Sequence, residues 1–223
     1  MDRQLVRRVT AAVSAALVAV VVMVLGWIKP PVTPVVTTDR LGPENGEAIA
    51  DYLNRARESL RGSDSDQHWA LISFTAAISA DRIPEYAGGL RISEVLYHVE
   101  LPRVVTPIVA VPVAAGDAAA LRSVQLAAGE LAHEATVEGA RTRAGRIAAV
   151  AAARLAANCA CTVGLVVRGT LDQLRNLSSH TDIRAVEALP AAAAGGTFAV
   201  VPLLPEYQEF AAPGSDDGPV PDQ

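Results

Sequence analysis

His68-Trp69-Ala70-Leu71-Ile72-Ser73-Phe74-Thr75-Ala76-Ala77-Ile78 is the stretch on which the reading of this chain turns. Trp69, Leu71, Ile72 and Phe74 make it apolar enough for a strand buried inside a sheet. Ser79 then offers an N-cap for a short helix through Tyr86, and Gly88-Gly89 stops that helix. Residues 91–101 follow as a half-exposed strand, with Ile92, Val95, Tyr97 and Val99 set against more polar neighbours from Ser93 onward. The same plan returns later in the chain. Residues 161–168 read as a buried strand through Val163, Leu165, Val166 and Val167, Thr170 caps a helix through Ser179, and residues 183–189 return as a strand. Two βαβ halves of this kind commonly lie side by side in one sheet with their helices on one face. The expected fold class is therefore α+β, an N-terminal transmembrane helix followed by a ferredoxin-like sheet of two βαβ halves with a long helical insertion.

Between the halves, residues 104–113 are β-prone, but Pro107 and Pro112 demote them to an edge strand or extended segment. Residues 117–157 are strongly helical, with Leu121, Val124, Ala128, Leu131 and Ala135 on one stripe and Ile147, Val150, Ala151 and Leu155 on another. A bend near Gly139 or Gly145 would divide them, and the sequence leaves open whether there is one helix or two. Charges recur too often here for a membrane crossing, because each would cost about 2.5–3.5 kcal/mol near the bilayer centre. Before the first strand, Gly42-Pro43 places proline near a helix start, and Ile49, Tyr52, Leu53, Ala56 and Leu60 recur at helical spacing. Residues 197–204 read as a further strand. The polar segment from Pro213 onward reads as disordered.

Residues 9–28 carry no charge and match the roughly 20 apolar residues that a hydrocarbon core of about 30 Å requires. Val9, Leu17, Val21, Leu25, Trp27 and Ile28 are the expected membrane anchor in contact with lipid. Arg3, Arg7 and Arg8 precede the run and Lys29 alone follows closely, so the positive-inside rule puts the N-terminus in the cytoplasm. A cleavable signal has a shorter apolar region and a small-residue cleavage site, whereas this run ends in Gly26-Trp27-Ile28-Lys29-Pro30. The expected organisation is a cytoplasmic N-terminus (1–8), a transmembrane anchor (9–28), an extended stalk (29–40), an extracytoplasmic domain (41–210) and a disordered tail (211–223). The expected location is the plasma membrane, single-pass.

The 223 residues leave room for one anchor and one domain of moderate size. Their net charge of −5 and scattered basic residues argue against a nucleic-acid partner, which needs a concentrated basic face. Lys29 is the sole lysine, and Arg bias with abundant Ala points to a GC-rich bacterium.

Cys159 and Cys161 are the most suggestive pair. A local disulfide, free buried thiols, and redox or metal work all remain open, and a Cys-x-Cys bridge would need a turn. Two sulfurs alone do not make a metal site, and no cofactor is expected. Among His68, His98, His133 and His180, only His133-Glu134 begins like a zinc-protease helix, and Val137 occupies the place of its second histidine. Neither Gly-x-Ser-x-Gly nor Ser-x-x-Lys is present. Glu44, Glu47, Asp51, Asp64 and Asp66 lack the spacing of a calcium loop and read as solvated surface.

Asn158-Cys159-Ala160-Cys161, followed by Val163-Gly164-Leu165-Val166-Val167-Arg168-Gly169 and again by Val201-Pro202-Leu203-Leu204-Pro205-Glu206, resembles uncharacterised single-pass membrane proteins of actinobacteria. The similarity covers residues 69–206. It implies location and topology and carries over no functional residue. The expected function is a membrane-anchored, extracytoplasmic, non-enzymatic binding or scaffolding domain of the cell envelope. Its partner would be an envelope protein or wall polymer met through a sheet edge or the long helix, whose Ala-rich stripe would also allow a homo-oligomer. The alternative is a thiol-disulfide or metal-handling protein using Cys159 and Cys161.

Overall fold

The computed structural model describes residues 39–222. Five strands form one antiparallel sheet: β2 (His68–Ile78), β3 (Arg91–His98), β4 (Ile108–Pro112), β5 (Thr162–Gly169) and β6 (Ile183–Ala188), in the order β4-β3-β5-β2-β6. Two further strands, β1 (Arg40–Leu41) and β7 (Ala199–Val200), pair in parallel as a separate ribbon. Among the described residues the remaining elements are a 3-10 turn, Ala80–Arg82, and five α-helices: α1 (Ile49–Ser59), α2 (Ile83–Ala87), α3 (Asp117–Glu138), α4 (Arg143–Ala156) and α5 (Leu171–Ser178).

This architecture corrects the expected one. The two βαβ segments interleave rather than lie side by side: β5 pairs between β2 and β3, as in a split βαβ arrangement, and the segment between the halves contributes an additional edge strand, β4. Pairing a strand from each half at the centre buries the most apolar stretches deepest. Among the described residues no helix is long and apolar enough to cross a membrane. The expected anchor at Val9, Leu17, Val21, Leu25, Trp27 and Ile28 lies outside the described residues.

β2 is apolar on both faces, so the sheet needs two covers. Ala70, Ile72 and Phe74 point into the larger core with Leu165 and Val167 of β5, where α2, α3, α4 and α5 pack. Leu71 points the other way, with Val163, Val166 and Leu96, into a second core closed by Leu41, Leu189 and Leu204. That second cover is mostly irregular chain. Only Ala199–Val200 of the expected strand 197–204 is paired, and the remainder is tied down by single bonds such as Leu203 N–H to Ser73 Oγ at 3.2 Å. α1 lies beside it, packing Ile49, Tyr52 and Ala56 on Ala185, Leu203 and Ala211.

Residues 117–157 are two helices. α3 ends at Gly139 (φ 87°), and α4 restarts with the Thr142 hydroxyl accepting from Gly145 N–H at 2.9 Å. Pro43 is not at a helix start, since α1 begins at Ile49. Gly42 serves a different purpose: at φ +105° a β-carbon there would sit 1.6 Å from the Val201 carbonyl oxygen, so only glycine lets β1 reach the covering segment.

Glu187, in β6, is buried beneath this junction and accepts from Gly42 N–H at 2.6 Å and from Arg55 of α1. Arg55 also reaches Glu47 at 2.8 Å. Burial pushes the Glu187 carboxyl up, and the Gly42 N–H and the Arg55 charge only partly offset it. A carboxyl raised in the folded state favours folding below its unfolded value and loses that contribution as pH rises through the folded value. Arg55→Ala leaves this carboxyl buried without its cation. In urea unfolding we expect a loss of about 2 kcal/mol at neutral pH, discounted for the half-exposed arginine, that shrinks toward pH 5. An equal loss at both pH values would contradict the assignment.

Candidate functional site

The irregular cover and the loop after β3 enclose a groove of about 330 Å³ lined by His98, Leu101, Arg103, Val105, Glu206 and Phe210, among others. Residues 212–215 also line it. Val105 is 44% exposed and Phe210 56% exposed, so two large apolar side chains of the lining face solvent. Such pairing of apolar surface with a few fixed polar groups is the usual make-up of a ligand site.

His98, at the end of β3, is buried, and its Nε2 lies 2.8 Å from Glu206 Oε1. Its Nδ1 faces Thr106 Oγ1 at 3.3 Å, while that hydroxyl donates to the Val99 carbonyl at 2.7 Å. The order carboxylate, imidazole, hydroxyl resembles a hydrolase triad in plan. Thr106 is buried, however, and has committed its hydrogen to a carbonyl, so it presents no nucleophile to the groove. Both ring nitrogens of His98 are likewise engaged. The pair is a fixed polar post.

Glu206 is held by its loop. Arg184 of β6 donates to the carbonyls of Leu204 at 3.0 Å, Pro205 at 3.3 Å and Tyr207. Burial pushes the Glu206 carboxyl up, but the His98 hydrogen bond, its own backbone and the charges of His98 and Arg184 outweigh that and hold it below the ordinary carboxylate range.

Cys159 and Cys161 are joined in a disulfide with their α-carbons 5.3 Å apart. The turn that this bond requires is the C-terminus of α4. Asn158 adopts φ 57°, Asn158 N–H bonds the Leu155 carbonyl at 2.9 Å, and Cys159 N–H bonds the Arg154 carbonyl at 3.1 Å. This is a Schellman ending with asparagine at the left-handed position, which asparagine tolerates better than most residues. The bridge then bears on the groove from behind, because the Cys161 carbonyl accepts His98 N–H at 2.9 Å. The sequence singled out the cysteines and His98 separately. Nothing local marked Glu206, Arg184 or Glu187, whose partners lie far away in the chain.

Other expected contact surfaces are partly occupied or restricted. Val124, Ala128 and Leu131 of the α3 stripe are buried in the domain's own core, while Leu121 of the same stripe is 39% exposed. β4 is an edge strand, but Pro112 lacks the N–H that a docking strand would use. On the opposite edge Ser59 Oγ takes Ala188 N–H at 2.8 Å. His133 is exposed on α3. His68 and Asp64 form a separate clamp at 2.8 Å at the start of β2. Among the described residues no group of three or more His, Cys, Asp or Glu side chains is placed to hold a metal ion.

The segment expected to be a disordered tail is instead seated on the domain. Val220 is buried, Asp216 pairs with Arg143 at 2.7 Å, and Asp217 pairs with Arg103. Its polar composition concealed the charge complementarity, which depends on arginines from two other parts of the chain.

No protein-family model, curated protein or solved structure matches this chain.

A carboxylate held low contributes stability above its unfolded value and loses it as pH falls through the folded one. Glu206→Gln should therefore cost about 1 kcal/mol at pH 7. The difference from the unaltered protein should close as the solution is acidified below the ordinary glutamate range. Persistence of the full gap at about pH 3 would contradict the His98 pairing.

Proposed function

We propose that this chain is a non-enzymatic binding domain of a bacterial cell envelope. It works outside the cytoplasm, attached to the membrane through the apolar residues 9–28, and recognises its partner in the His98–Glu206 groove. The observation that carries the reading is the groove itself: Val105 and Phe210 exposed beside a fixed imidazole–carboxylate pair. Apolar anchors flanked by oriented polar groups give both affinity and register to a bound chain.

The disulfide supports the compartment, because such bonds persist where thiols are oxidised and are rare in the bacterial cytosol. A binder is favoured over a catalyst by the commitments of the polar groups. His98 has no free nitrogen to take a substrate proton, and Thr106 has no free hydroxyl hydrogen. The thiol-disulfide alternative is weakened by the placement of Cys161, which is buried and braces the groove.

Placing a photo-crosslinking amino acid at position 210 in intact cells should yield one recurrent envelope adduct. The same group at position 126, exposed on the outer face of α3, should not. Adducts of equal pattern at both positions, or none at 210, would contradict the groove as the binding surface.

A further inference from the structure

Contacts of a kind used to recognise ligands seat the C-terminal segment on the domain. Asp217 receives two donors of Arg103, Nε at 2.8 Å and Nη2. Asp216 receives Arg143 Nη2 at 2.7 Å and Val105 N–H at 3.1 Å. Gly218 donates its N–H to the Arg103 carbonyl at 2.7 Å and accepts Arg143 Nη1 on its own carbonyl at 2.8 Å. Forked guanidinium donors matched to carboxylates read both charge and shape. A side chain at Gly218 would meet the carbonyl oxygens of Pro102 at 2.5 Å and Arg103 at 2.8 Å, so the fit also selects the residue. Val220 adds a buried apolar anchor.

Val220 packs with the larger core, but the polar contacts hold the rest of the segment lightly. Arg103 and Asp217 are 66% and 59% exposed, and exposed ion pairs contribute little. The segment has no helix or strand of its own.

We infer that Ser215-Asp216-Asp217-Gly218-Pro219-Val220 is an intramolecular occupant of a peptide-binding track formed by Arg103, Val105 and Arg143. The track takes an extended acidic polypeptide of a partner, with adjacent carboxylates followed by glycine. The two backbone hydrogen bonds at Gly218 specify a polypeptide, since a phosphate polymer has no N–H for the Arg103 carbonyl. Residues 212–215 wall the His98 groove, so displacement of the segment opens the groove on that side. This consequence rests on the groove reading, whereas the track itself does not.

The test is fluorescence anisotropy with a synthetic peptide of residues 213–222. It is titrated with the full-length protein in detergent micelles, with a chain ending at Ala212, and with full-length Asp216→Asn/Asp217→Asn. Both variants should bind the peptide about tenfold or more tightly than the unaltered chain, whose own segment competes at high effective concentration. Added salt should weaken binding, and a peptide carrying Gly218→Ala should not bind. A shortened chain that keeps its thermal transition but ignores the peptide would overturn the inference. Equal binding by all three proteins would do the same. Failure of both variants to fold would also overturn it, since an occupant that can leave is not part of the core. If the peptide fails while crosslinking from position 210 persists, the track is wrong and the groove stands.

Discussion

Antiparallel pairing of β2 with β5 at the centre of the sheet is the constraint from which the rest follows. Leu71 stands opposite Val166 and Ile72 opposite Leu165, so apolar side chains leave this pair on both faces. A sheet that is apolar on both sides is stable only when both are covered, since each large side chain removed from water contributes about 1.5–3 kcal/mol. Helices supply one cover. The other is drawn from α1, the β1–β7 ribbon and the irregular residues that follow, and it is this second cover that carries the groove.

The groove depends on connections that run through the sheet. The disulfide fixes the entry to β5, the Cys161 carbonyl takes the His98 amide, and His98 takes Glu206 from the opposing cover. Arg184 secures the same loop from β6. The last two contacts tie residues of the cover to residues of the sheet. Glu187 and Arg55 do the same at the other end, where a buried carboxylate meets the first turn of chain after β1. The second face thus adds a few directional polar contacts to its smaller apolar cores, whereas the first is held by broad apolar packing.

Elements dictated by local pattern were legible. The apolar run His68–Ile78 is β2 over its whole length, and Thr170 with Gln173 forms the capping box that starts α5. The two cysteines could be singled out, but their bonding depended on Asn158 taking a left-handed conformation, which spacing alone does not dictate. Arrangement was less legible than the elements. The insertion of β5 between β2 and β3 and the recruitment of β4 are choices among pairings of similar local propensity. The cover was the least legible part. Residues 197–204 have strand composition but find a partner for only Ala199–Val200, and the aspartates of the C-terminal segment look solvated until Arg103 and Arg143 are placed beside them. Glu206 and Glu187 gain their meaning only from partners distant in sequence.

A strongly packed sheet carries a lighter second cover, and the segment 215–220, seated beside the groove, can leave. Hydrogen exchange of the full-length protein, followed peptide by peptide, tests it most directly, because protection reports the free energy of local opening. Exchange should be slowest in β2 and β5, intermediate in residues 201–211, and the fastest of these three in residues 213–222. Protection of the C-terminal segment equal to that of β2, or a second cover as unprotected as that segment, would contradict it.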